Sequence, residues 1–209
     1  MRVFTERAQN LHFLSSLSGA ALGLLGTAHL LVGAGRQGDP WKIAGVAGYG
    51  ASLVTLYVCS TLYHSRWEGA RGLLRKLDHN AIYLLIAGSY TPFTLVTLRG
   101  AWGWSLLGLV WGLALVGIVQ ELLPRLRWRI PPLGLYLGMG WLIVIAIRPL
   151  GLALPSPGLP WLVAGGLSYT VGVAFYALDD RWEYAHFVWH LFVLGGSASH
   201  FLAIRICVL

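Results

Sequence analysis

An all-α membrane domain of seven transmembrane helices, with its N-terminus cytoplasmic and its C-terminus outside, is predicted by three features of the sequence. The first is composition. The 209 residues are 56% hydrophobic and 11% charged, with a mean hydropathy of +0.66, too little charge to cover a soluble surface. The second is spacing. Apolar stretches of about 20 residues, enough to cross a hydrocarbon core of ~30 Å, fall at roughly 12–33, 43–63, 79–98, 102–123, 132–149, 159–178 and 185–207. The third is the charge between them. Arg2, Arg7, Arg66, Arg71, Arg75, Lys76, Arg125, Arg127, Arg129 and Arg181 fall on one side; Arg36, Lys42, Arg99, Arg148 and Arg205 fall on the other. Positive residues favour the cytoplasm, which orients the chain.

Each span has its own justification. The first follows Arg2 and Arg7 as a signal peptide would, but Glu6 and His12 intrude and the apolar run is too long for one. The second ends in Ser60-Thr61-Leu62-Tyr63-His64, and the third opens at Asp78-His79. Trp102 and Trp104 begin the fourth. With Trp41, Trp67, Trp128, Trp161 and Trp182, they place indole rings at span ends, where the headgroup layer suits them. Pro92 and Pro149 are expected to kink the third and fifth spans. Gly19 with Gly23, Gly108 with Gly112, and Gly134 with Gly138 repeat at a spacing that lets helices approach closely. The spans use nearly the whole chain, so residues 1–209 read as a single membrane domain. Cys59 and Cys207 fall on opposite sides and should not pair. The net charge of +7 is a topology signal, reinforced by anionic lipid, and no nucleic-acid partner is expected.

Ionisable groups at membrane depth are costly, and each is a functional candidate. His64 ends the second helix, Asp78 opens the third, and His186 and His190 lie in the first turns of the seventh. The i, i+4 spacing stacks the last two imidazoles on one face, about 6 Å apart along the axis. All four groups therefore meet at one cytoplasmic depth from three helices. Three imidazoles plus a water are the usual ligands of an open, catalytic zinc site. A carboxylate beside them can deprotonate that water, and Ser60, one turn before His64, can hydrogen-bond the water or a substrate carbonyl. Hence zinc is the expected cofactor, His64, His186 and His190 its ligands, and Asp78 and Ser60 the catalytic pair. His79 is either an outer partner of the ligands or a helix-end residue. His12 is set aside as a ligand, although it lies near enough to approach. His29 and His200 are read as outer-leaflet residues that meet water or headgroups. A bis-histidine haem site would use the same residues. A retinal site is excluded because Lys42 and Lys76, the only lysines, sit at span ends.

These residues resemble the hemolysin III family, the bacterial branch of the progestin and adipoQ receptor family that includes the adiponectin receptors. Ser60, His64 and Asp78 match its Ser-x3-His…Asp motif, continued by Leu77-Asp78-His79-Asn80 through Gly88-Ser89-Tyr90-Thr91-Pro92-Phe93. His186 and His190 match its His-x3-His motif, before Leu194-Gly195-Gly196-Ser197. Its first motif is met by Glu6 and Asn10, but Leu14 stands where the family has a histidine. The resemblance implies a bacterial inner-membrane bundle, zinc on the three named histidines, and Glu6 and Asn10 as outer partners of the site. Its wider relatives include alkaline ceramidases, which implies a membrane lipid as substrate or ligand and hydrolysis of a lipid amide or ester. The alternative is a non-enzymatic regulator, receptor-like protein or hemolysin-type pore with structural zinc.

Overall fold

The computed structural model describes residues 5–65, 67–123, 126 and 129–209. Arg2, Arg66, Arg125 and Arg127 of the charge count, and Trp128 of the aromatic belt, lie outside the described residues. The elements are α1 (Glu6–Gln37), α2 (Pro40–His64), α3 (Arg71–Pro92), α4 (Ala101–Leu122), α5 (Pro132–Gly140), α6 (Ile147–Ala153), α7 (Gly158–Ala177) and α8 (Ala185–Cys207). Six spans are long and apolar enough to cross a membrane, with α5 and α6 together making one of them. The remaining long helix, α3, carries Arg71, Arg75, Lys76 and Asp78 in its first turns.

Local chemistry sets the helix ends. Thr5 caps α1 by accepting from the Ala8 N–H. Gly38, at φ 69°, ends α1 in the left-handed conformation that glycine adopts without a Cβ penalty. Asp39 then accepts from the Trp41 N–H, and Pro40 opens α2 at a position where its missing N–H costs nothing. Two residues between long helices leave only an antiparallel return, so α1 packs along α2.

The third helix begins at Arg71 rather than near residue 79, so Asp78 lies two turns inside it instead of opening it. Hydropathy marks where a helix becomes apolar, and here the polar first turns are helical too. Proline accounts for two irregularities. Pro92 ends α3 and is followed by wider turns over Phe93–Thr97, with Leu98 N–H donating to Phe93 O. The fifth span breaks into a tighter turn over Leu142–Ala146, just before Pro149, whose ring opposes the carbonyl four residues earlier. The break is stitched from α3: the Tyr90 hydroxyl donates to Met139 O and Gly140 O, both at 2.8 Å, and accepts from Ile143 N–H at 3.0 Å. Lipid offers no water to such groups, so a broken span needs a partner of this kind.

Neighbours pack in the order α7, α8, α1, α2, α3, α4, with α5 against α3 and α4 and only lightly against α7. Ser197 on α8 knots three helices: its hydroxyl meets Tyr57 (3.0 Å) and Tyr169 (3.1 Å), and its carbonyl accepts from Tyr49 (3.1 Å). Of the expected glycine pairs, Gly19 and Gly23 do seat against Tyr57 and Leu53. Gly108, Gly112, Gly134 and Gly138 do not: among the described residues nothing approaches the position of a Cβ there. Spacing alone does not say which face of a helix meets a neighbour. Large apolar side chains point outward all round, Leu25 at 70% and Leu152 at 83% exposure among them, as a lipid-facing surface requires.

Candidate metal centre

Two helix ends meet here. His64 is the last residue of α2, and the chain turns away at Ser65, whose N–H and hydroxyl both return to Leu62 O. His186 and His190 occupy the first turns of α8. The three imidazoles each offer a ring nitrogen within 4.8 Å of the others, and His186 and His190 are buried. Ser60 and Asp78, both buried, line one cavity together with His186 and His190. The three histidines singled out in the sequence come within ligand distance of one another.

Hydrogen bonds fix which ring nitrogens face inward. Ser15 donates its hydroxyl proton to His12 O (2.9 Å), so its oxygen accepts from His190 Nδ1–H (2.8 Å). His186 Nδ1 faces a carboxylate, Asp179 Oδ2 at 3.3 Å, in a charge contact rather than a hydrogen bond. The His190 assignment follows from its hydrogen bond, that of His186 from the carboxylate charge facing Nδ1. They leave the Nε2 lone pairs of His186 and His190 for the common centre. A metal-ligating histidine typically holds its outer N–H in this way.

The fit to a metal can be judged from one distance. His186 Nε2 and His64 Nε2 are 3.2 Å apart. Two nitrogens on one tetrahedral zinc, at Zn–N of about 2.0–2.1 Å, stand about 3.3 Å apart. A proton shared between the two rings would also suit this spacing, but it leaves the third inward lone pair, on His190, unexplained. Three ring nitrogens within 4.8 Å of one another are compatible with a bound metal ion.

Asp179, Ser15 and Ser16 escaped the sequence argument. Ser16 also donates to His12 O (2.9 Å), and its oxygen lies 3.0 Å from Ser60 Oγ. The signal was available: residues 12, 15 and 16 are polar at i, i+3, i+4 on an otherwise apolar helix, hence on one face. Asp179 offered no such signal, since Asp179-Asp180 reads as a solvated turn. Asp179→Asn is expected to weaken metal affinity about 10–100-fold, measured by competition with a chelator, because it removes the carboxylate charge 3.3 Å from His186 Nδ1.

The remaining sites sort as follows. His79 lines the same cavity, with Nε2 3.5 Å from the Tyr176 hydroxyl, and its carbonyl accepts from Tyr136. Glu6 and Asn10 are exposed in the first turns of α1 and do not line the cavity. His29 is exposed, as expected. His200 is not a headgroup residue: it lines the far end of the cavity and packs edge-on against Tyr169. His12 is buried to 1% exposure amid the three histidines.

Comparison with known proteins agrees with this architecture. A family model described as "Haemolysin-III related" matches residues 9–201, which include every proposed metal-site residue. "Hemolysin-3" of Bacillus cereus is 43% identical over 192 residues, covering 91% of this chain and 87% of its own length. "Hemolysin-3 homolog" of Bacillus subtilis (strain 168) is 38% identical over 203 residues, covering 97% and 95%. "Monocyte to macrophage differentiation factor" of Homo sapiens is 30% identical over 174 residues, covering 79% and 71%. Matched along nearly its whole length and built of membrane-length apolar helices, the chain belongs to the haemolysin-III related family and is a multi-pass integral membrane protein.

Proposed function

We propose that this chain is a zinc-dependent hydrolase of a lipid amide or ester, acting within the inner leaflet of a bacterial cell membrane. The supporting observation is the cavity that joins Asp78 and Ser60 to His186 and His190 at one end and continues along apolar walls to His200. Along α8 that stretch is fourteen residues, about 21 Å at 1.5 Å per residue, enough for an extended acyl chain. In the proposed topology α3 is a seventh span, the N-terminus is cytoplasmic and the C-terminus is outside. The metal site then lies at the cytoplasmic end.

Zinc on His64, His186 and His190 supplies a lowered water pKa and a polarised carbonyl. The protein's own groups do the rest. Asp78 takes the proton from the attacking water and delivers it to the leaving amine or alcohol. Ser60, held near its place by Ser16, donates to the developing oxyanion. The apolar walls hold the acyl chain and keep bulk water out.

The test is a lipid-product screen by mass spectrometry, using purified protein with amide- and ester-linked lipids. Free fatty acid should appear with zinc-loaded protein and stop after chelation. No product from any of these lipids, with zinc content verified, would overturn the hydrolase. A pore or regulator would then take its place, tested by conductance in liposomes against an inert membrane protein. The clustering of costly ionisable groups at one end speaks for a site over a conduction path.

A further inference from the structure

Four imidazoles, not three, surround the candidate metal centre. His12 projects from α1 into the group, with ring centroids 5.2 Å from His64, 4.9 Å from His186 and 5.9 Å from His190. The three expected ligands are separated from one another by 5.0, 5.1 and 4.7 Å. The six edges outline a slightly irregular tetrahedron.

That figure has a physical meaning. With Zn–N of about 2.0–2.1 Å, an imidazole centroid sits about 3.2 Å from the metal, and four such centroids at tetrahedral corners stand about 5.2 Å apart. The observed edges scatter around this length, with the His12–His190 edge the longest. His12 is the least regular corner, at 4.9 to 5.9 Å, and stands outside the three whose ring nitrogens lie within 4.8 Å of one another, as a weakly held ligand would. Its backbone is held in place as well, since the Ser15 and Ser16 hydroxyls both donate to its carbonyl. The start of α1 is clasped to the segment before α8, where Thr5 N–H donates to Glu183 Oε1 at 3.1 Å.

We propose that His12 is a fourth, displaceable ligand, which closes the metal site at rest and must leave for substrate or water to reach the metal. The proposal rests on the metal reading above and adds a regulatory device to it. Closed four-ligand zinc sites are structural, and sites with an open position are catalytic. In this chain one side chain on a separate helix decides between the two. Because His12 is carried by α1 and two ligands by α8, any shift of α1 along α8 opens or closes the site. A lipid entering the cavity, which Ser16 of α1 lines, is the kind of event that produces such a shift.

The test uses full-length protein loaded with Co2+, as wild type, His12→Ala and His12→Gln, the last retaining volume at a buried position. X-ray absorption should count four imidazoles in the wild type and three in both variants. Azide, a small anionic ligand, should bind cobalt in the variants at least tenfold more tightly than in the wild type, read from the visible bands. Added imidazole should restore the wild-type spectrum in His12→Ala. Equal imidazole counts and equal azide binding in all three proteins would overturn the role of His12 and leave the three-histidine site intact. Failure of the wild type to bind cobalt at all would overturn both.

Discussion

Replacing His64, His186 or His190 by alanine should lower bound zinc from about one ion per chain to less than about a tenth, measured by elemental analysis of purified protein. Each substitution removes one of three convergent nitrogens, and those at positions 186 and 190 also disturb a neighbour. In the His186 variant Asp179 loses the imidazole 3.3 Å from its carboxylate, and in the His190 variant Ser15 loses its donor. Thermal stability should follow. A ligand present at a thousand times its dissociation constant stabilises the folded state by about 4 kcal/mol, so chelated wild type and the variants should melt at similar, lowered temperatures. Full zinc occupancy in all three variants would dissolve the site, while leaving the helical bundle untouched.

Asp78→Asn should retain zinc and lose turnover by about 10²–10⁴-fold, the usual contribution of a positioned acid or base. Asparagine keeps the shape and can still hydrogen-bond Ser60, but it cannot take and return a proton. Zinc content and fatty-acid release, assayed on the same preparation, separate this effect from metal loss. Unchanged turnover would remove Asp78 from the chemistry. A matching loss of zinc would recast it as a residue that holds the ligands in position.

The three histidines that come together were legible in the sequence because membrane depth penalises ionisable groups. His64, Asp78, His186 and His190 stood out against apolar surroundings, and helical spacing put them at a common end. What stayed hidden depended on rotation about helix axes and on the true start of each helix. Asp78 lies two turns inside α3 because the charged run from Arg71 to Lys76 is itself helical. His12 lies buried among the three rings because α1 turns that face toward α8, and nothing in one sequence says which face that is. Asp179 sits in a turn, where hydropathy is uninformative, and its value lies in one contact 3.3 Å long. For the same reason four of the six paired glycines face no neighbour among the described residues.

The Tyr90 phenol replaces several missing helical bonds with one side chain, and this gives the enclosure a weak side. Gly140, Trp141, Ile143 and Val144 line the cavity and belong to the stretch that the phenol holds together, while Val144 and the adjacent Ile145 turn more than half their surface toward lipid. Elsewhere the partition between cavity and bilayer is largely continuous helix, with backbone bonds that must break cooperatively. Here the Tyr90 hydroxyl and the Trp141 indole N–H on Thr170 (3.0 Å) hold a tighter turn in place of continuous α-helix, and such segments open at lower free energy. A hydrophobic tail leaving the bilayer sideways would meet its smallest barrier at that panel, not at the polar mouth beside the histidines.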